Sequence, residues 1–187
     1  MATVNIEHPE IITVSFRQER GDRDYGSCLW ARFNFDRKNY FLSIESDCGS
    51  YSNGWYPTPE TESFMHLCAR FDWLYLVDKI STKSVVDGDA TYKSLMAFLE
   101  DYDEYGYELL SNIQVQEIEE ACHSNRNDHA VLAAIQRALE DTPFDGSCSE
   151  YDIACIIEND YPRGAKKIAD IFRDYIQPVV KKIVEDE

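Results

Sequence analysis

The sequence predicts an α+β fold: an N-terminal antiparallel β-sheet of three to four strands packed by a central helix, followed by a C-terminal helical half. Three observations predict it. β-branched and alternating apolar residues crowd the stretch from Ile11 to Tyr56. Pro57-Thr58-Pro59 then breaks the β pattern. From Glu60 onward apolar residues recur at three- and four-residue steps, the period of a helix with one buried side. The chain has 187 residues, 44% hydrophobic and 13% aromatic, which is enough apolar material for a packed core and too much for a solvated acidic tail. The expected division is 1–108 as the α+β unit and 109–187 as the helical half, with a single domain over 1–187 as the alternative.

Ile11 to Phe16 is rich in β-branched residues and reads as the first strand. Leu29 to Phe35 alternates, with Leu29, Ala31, Phe33 and Phe35 expected on one face, and Asp36-Arg37-Lys38-Asn39 is a polar turn into a third strand, Tyr40 to Glu45. A short fourth strand is expected over Tyr51 to Tyr56. Phe64, Leu67, Cys68, Phe71, Leu74, Tyr75 and Ile80 then mark one central helix that covers the sheet. A helix from Ala90 to about Tyr105 is capped by Asp87 or Asp89. Ser111-Asn112-Ile113-Gln114 has the form of a capping box and opens a helix to about His123. Asn127 or Asp128 caps the next, which ends near Pro143, and Ser149 starts a short one. Arg163 onward forms the last helix, with Ile168, Ile171, Phe172, Tyr175 and Ile176 as its apolar stripe, and Pro178 should kink or interrupt it.

Charge narrows the function. There are 35 Asp and Glu against 18 Lys and Arg, a formal net charge of −17, which opposes direct contact with nucleic acid or with an anionic membrane surface. The excess is uneven. Residues 1–93 hold 14 acidic and 10 basic side chains, whereas 94–187 hold 21 and 8. From Glu100 to Asp160 there are 16 acidic residues and two basic ones, Arg126 and Arg137, so this stretch carries −14. The acidic clusters are Glu100, Asp101, Asp103, Glu104 and Glu108, then Glu117, Glu119 and Glu120, then Glu140, Asp141 and Asp145, then Glu150 and Asp152. Tyr102, Tyr105 and Tyr107 lie within the first, and tyrosine beside carboxylate suits a protein interface. Carboxylates held on helices at intervals of several ångströms imitate nucleic-acid phosphates and compete for a basic groove on another protein. The plainer reading is a solvated face that keeps the protein in solution.

Chemistry finds less support. Glu45-Ser46-Asp47-Cys48-Gly49-Ser50-Tyr51 places two carboxylates, a thiol and hydroxyls just after a strand, where a small enzyme or ligand-binding protein would have its site. A cysteine nucleophile needs a histidine base, and His8, His66, His123 and His129 offer no recognisable partner signature. No metal is expected: His66 with Cys68, and Cys122 with His123, lack ligand spacing, and no Cys-x-x-Cys occurs. Asp22-Arg23-Asp24 and Asp101-Tyr102-Asp103 lack the glycine and distal glutamate of a calcium loop. No Gly-rich phosphate loop is present, and no cofactor is expected. The six cysteines are expected as free thiols in a cytoplasmic protein, since the N-terminus has no basic start followed by an apolar run.

The run from Ile44 to Trp55, which contains Glu45-Ser46-Asp47-Cys48-Gly49-Ser50-Tyr51, followed by Glu62 to Arg70 and Tyr75 to Ile80, resembles a pattern in uncharacterised phage and prophage proteins. The resemblance covers about the first half of the chain. Small acidic phage proteins are similar in character to anti-defence inhibitors, anti-CRISPR proteins among them, which occupy the nucleic-acid path of a Cas effector. The resembled family itself carries no activity to transfer; class and charge together point to a non-enzymatic inhibitor whose partner is a protein with a basic nucleic-acid-binding surface, in the host cytoplasm.

Overall fold

A computed structural model describes residues 10–22, 25–56, 62–102, 110–124, 127–140, 142, 144–145 and 149–186, with backbone alone at 102, 124, 150 and 151. The fold is α+β, with a four-stranded antiparallel sheet at the N-terminal side and helices thereafter. The chain forms two compact units, Met1–Thr82 with Tyr161–Glu187, and Lys83–Asp160. This division does not coincide with the expected one at 108/109, because the last helical segment packs its apolar side in the core of the sheet unit.

In the first unit, β1 (Ile11–Arg17), β2 (Trp30–Asp36), β3 (Phe41–Ser46) and β4 (Gly49–Gly54) form a meander in that order. The register sets Phe33 opposite Ile44 and Phe35 opposite Leu42, so one face presents a continuous apolar surface. The other face is exposed and mixed: it carries Ile11, Trp30 and Phe41 at its ends, and between them Thr13 Oγ1 donates to Asn34 Oδ1 at 2.9 Å, and Asn34 Nδ2 to Ser43 Oγ at 3.3 Å. Leu29 is 40% exposed and precedes the strand, which corrects its expected place on the inner face. The fourth strand begins two residues earlier than expected, because Gly49 at φ +124° permits a tight turn through Asp47-Cys48.

The expected central helix is two helices, α1 (Phe64–Ala69) and α2 (Trp73–Ile80). The break follows from Asp72, whose side chain caps α2 by accepting from the Tyr75 N–H at 2.7 Å. Two backbone carbonyls at the break are satisfied from far along the chain, since Gln177 Nε2 donates to Ala69 O at 3.1 Å and Phe71 O at 2.5 Å. Phe64, Met65, Cys68, Leu76, Val77 and Ile80 face the core, while Leu74 is 60% exposed, against expectation. The C-terminal segment is α7 (Arg163–Ile171), a π-helical turn (Phe172–Ile176) and α8 (Gln177–Glu185). Pro178 lies just after the π turn. Proline has no N–H and crowds the preceding turn, and the wider turn accommodates it. The added residue rotates the helical stripe, so Ile176 and Val180 are buried and Tyr175 is exposed, its ring tilted by 49° against Phe16 with centroids 4.9 Å apart.

The second unit is inserted between Thr82 and Tyr161. Its chain ends meet in a two-stranded antiparallel ribbon, β5 (Val85–Val86) with β6 (Asn159–Asp160), extended by Asp87 N–H to Glu158 O at 2.8 Å. Buried Thr91 accepts from the Glu158 N–H at 3.0 Å. Four helices follow: α3 (Gly88–Tyr102), α4 (Asn112–Ser124), α5 (Asp128–Leu139) and α6 (Glu150–Ile156). The expected caps are in place on Asp87, Ser111, Asn127 and Ser149, and the Ser111 and Gln114 side chains exchange bonds with each other's backbone N–H. Leu95, Leu99, Ile118, Cys122, Val131, Ile135 and Ile153 form a separate core. No described helix is long and apolar enough to cross a membrane.

Candidate functional site

The inserted unit concentrates the charge. Lys83–Asp160 holds 18 acidic and four basic residues, a net of −14, and the remainder of the chain 17 and 14, a net of −3. Glu100 and Asp101 are exposed at the end of α3, and Glu117, Glu119 and Glu120 on the solvent side of α4, opposite buried Ile118 and Cys122. Glu120 accepts from Gln116 Nε2 at 2.9 Å. Glu140 is exposed at the end of α5 and Asp145 in the turn beyond it. Glu150 opens α6. Asp152 is half-buried and serves as a cap: Ser149 Oγ donates to its carboxylate at 2.6 Å and the Ser149 N–H at 3.1 Å, which hold its pKa below the usual 3.8. Asp103, Glu104, Tyr105, Tyr107, Glu108 and Asp141 lie outside the described residues, as does the side chain of Tyr102. Ile113, in the first turn of α4 and four residues before Glu117, is 71% exposed.

A second constellation forms in the sheet unit. The β2–β3 register brings the residues just before β2 against the β3–β4 turn, so Cys28 joins Asp47 and Cys48, 19 residues away. Asp47 Oδ2 accepts from the Leu29 N–H at 2.8 Å, and Oδ1 from the Trp30 N–H at 3.3 Å and the Cys28 thiol at 3.2 Å. Cys48 Sγ donates to Ser27 O at 3.1 Å. Tyr51 donates its hydroxyl to Cys48 O at 2.9 Å. Gly164, at the start of α7, passes so close to Cys48 O and the Tyr51 hydroxyl that any β-carbon would collide with both. The turn is thus held from the sheet and from α7.

Burial, then hydrogen bonding to Cys48 and Asp47, then their like charge push the Cys28 thiol far above its usual range. Burial pulls Asp47 upward too, but the hydrogen bonds from Leu29, Cys28 and Trp30 outweigh it and hold its carboxyl below 3.8. Tyr51 is raised by burial and by the neighbouring thiols. Two of the four histidines are engaged elsewhere: His66 Nδ1 lies 2.7 Å from Ser63 Oγ, and His123 pairs with Asp89 at 2.8 Å, while His8 lies outside the described residues. Cys28, Asp47 and Cys48 are the group of donors able to hold a metal ion among the described residues. The sequence pairs tested for zinc do not converge, because Cys68 and Cys122 are fully buried while His66 and His123 are exposed.

Fold and sites together define an α+β protein that carries an inserted acidic helical unit and a thiol–carboxylate turn. The chain belongs to a phage family, Phage_phiTE_072, which matches residues 5–182 and so spans both units. No curated protein and no solved structure matches it.

Proposed function

We propose that this phage protein is an anti-defence inhibitor, anti-CRISPR-like, whose inserted unit docks on a basic nucleic-acid-binding surface of a host CRISPR-Cas or other defence complex. The observation that carries the reading is the segregation of charge, with −14 of the −17 on one folded unit that has its own core. A merely solubilising charge has no need to follow a structural boundary. Rigid helices keep Glu100, Asp101, Glu117, Glu119 and Glu120 displayed, as a phosphate mimic requires. Exposed Ile113 supplies apolar contact within the patch. The protein acts by binding and not by catalysis, in keeping with a Cys28 thiol that is buried and hydrogen-bonded to Asp47.

The test is capture of the target from host lysate with the tagged protein, identification by mass spectrometry, and a salt titration of the purified pair. Affinity should fall at least about tenfold between 50 and 200 mM salt, since the attraction is between charges. Reversal of Glu100, Asp101, Glu119 and Glu120 to lysine should abolish binding while circular dichroism stays unchanged. A salt-independent complex, or one indifferent to these reversals, refutes the mimicry.

A further inference from the structure

We propose that Cys28, Asp47 and Cys48 form a binding site for a thiophilic divalent cation, zinc by its chemistry, in the sheet unit. The site is independent of the acidic unit and of any inhibitory role. The donor atoms of the three residues all lie within 4.8 Å of one another. A zinc ion with sulfur at about 2.3 Å needs its ligands about 3.8 Å apart, so small side-chain rotations suffice. Two thiolates select a soft ion over calcium or magnesium.

The positions are set without the ion. Asp47 is fixed by the Leu29 and Trp30 N–H groups, and the turn by Tyr51 and by the close passage of Gly164. These hydrogen bonds orient the carboxylate as outer partners orient a metal ligand. Entry is open on one side: Cys28 is 1% exposed and forms the floor, while Asp47 is exposed and Cys48 half-buried. The exchange balances. Cys28 gives up the proton it donates to Asp47 Oδ1, Cys48 gives up the one it donates to Ser27 O, and both pass to solvent as one divalent cation enters. Two positive charges leave and two arrive, so the site keeps a charge of −1. The freed Asp47 lone pair becomes the third ligand, and the fourth position faces solvent.

The experiment is cobalt titration of the reduced, chelator-treated full chain, followed by zinc. One equivalent of cobalt should give a thiolate-to-cobalt charge-transfer band that one equivalent of zinc removes. Cys48→Ser should weaken binding by about 100-fold and Asp47→Asn by at least about tenfold. Cys155→Ser, in the exposed thiol of α6, should change nothing. Cys48 is half-buried, so its variant is the informative one, and its circular dichroism should match the parent. Absence of the band in the reduced protein overturns the proposal. So does a band that survives Cys48→Ser, or a Cys28–Cys48 disulfide that forms readily while the reduced thiols take up no metal.

Discussion

His123 shows how a single side chain declares its protonation state. Its Nδ1 lies 2.7 Å from Glu119 O, and its Nε2 lies 2.8 Å from Asp89 Oδ1. A carbonyl and a carboxylate only accept, so both ring nitrogens are satisfied only when both carry protons. The hydrogen bond to Asp89, then the one to Glu119 O, raise the pKa above 6.5. A group whose folded pKa is raised stabilises the protein fully below its unfolded value and loses that contribution as pH rises through the folded value. The imidazole should therefore titrate above 6.5 by NMR, and Asp89→Asn should bring the midpoint down. The stability gap between parent and variant should be present at about pH 6 and close at alkaline pH. A midpoint at or below the ordinary value would contradict the geometry. The pair was not legible in the sequence, since 34 residues separate its members. Cys28 escaped notice for the same reason: Asp47 and Cys48 stand out within one run, but their third partner is delivered only by strand register.

At the level of elements, local signals were the readable ones. Ser111, Asn127 and Ser149 announce helix starts because a cap is a bond across two or three residues. The strands were legible from alternation, and their edges lie within one or two residues of expectation. Pro178 marked the interruption of the last helix but not its π form, and the break between α1 and α2 was missed because apolar residues continue through it at helical steps even though Asp72 caps α2. Gln177 directly follows the π turn, and its amide satisfies the carbonyls of Ala69 and Phe71, 108 and 106 residues earlier. Gln177→Ala should thus destabilise the protein by about 1–3 kcal/mol in urea unfolding, the range for carbonyls left without donors. Gln177→Glu keeps the shape and removes the donors, and should cost at least as much. A loss below about 0.5 kcal/mol in both variants would mean that solvent reaches these carbonyls and the tie is dispensable.

For the whole molecule, the telling property is that charge and architecture share a boundary. Counting along the chain located the acidic excess between Glu100 and Asp160, but it could not show that Lys83 to Asp160 is an insertion, because the closing ribbon is only two residues per strand. Such an insertion has a thermodynamic consequence. A net −14 on one unit repels itself, whereas the remainder, at −3, is nearly balanced by its 14 basic residues. Raising salt from 10 to 150 mM shortens the screening length from about 30 to about 8 Å, and should relieve the repulsion in the inserted unit alone. Amide hydrogen exchange resolves this by region. Protection in α3, α4 and α5 should rise with sodium chloride while β2 and β3 change little. Neutralising Glu117, Glu119 and Glu120 to glutamine should raise protection of the same helices at low salt and flatten their salt response. If both units responded alike, the salt effect would be a general one, and the charge boundary would carry no energetic weight. A selective response would show that the unit holds its carboxylates together against a standing cost, which a cationic partner surface would relieve on contact.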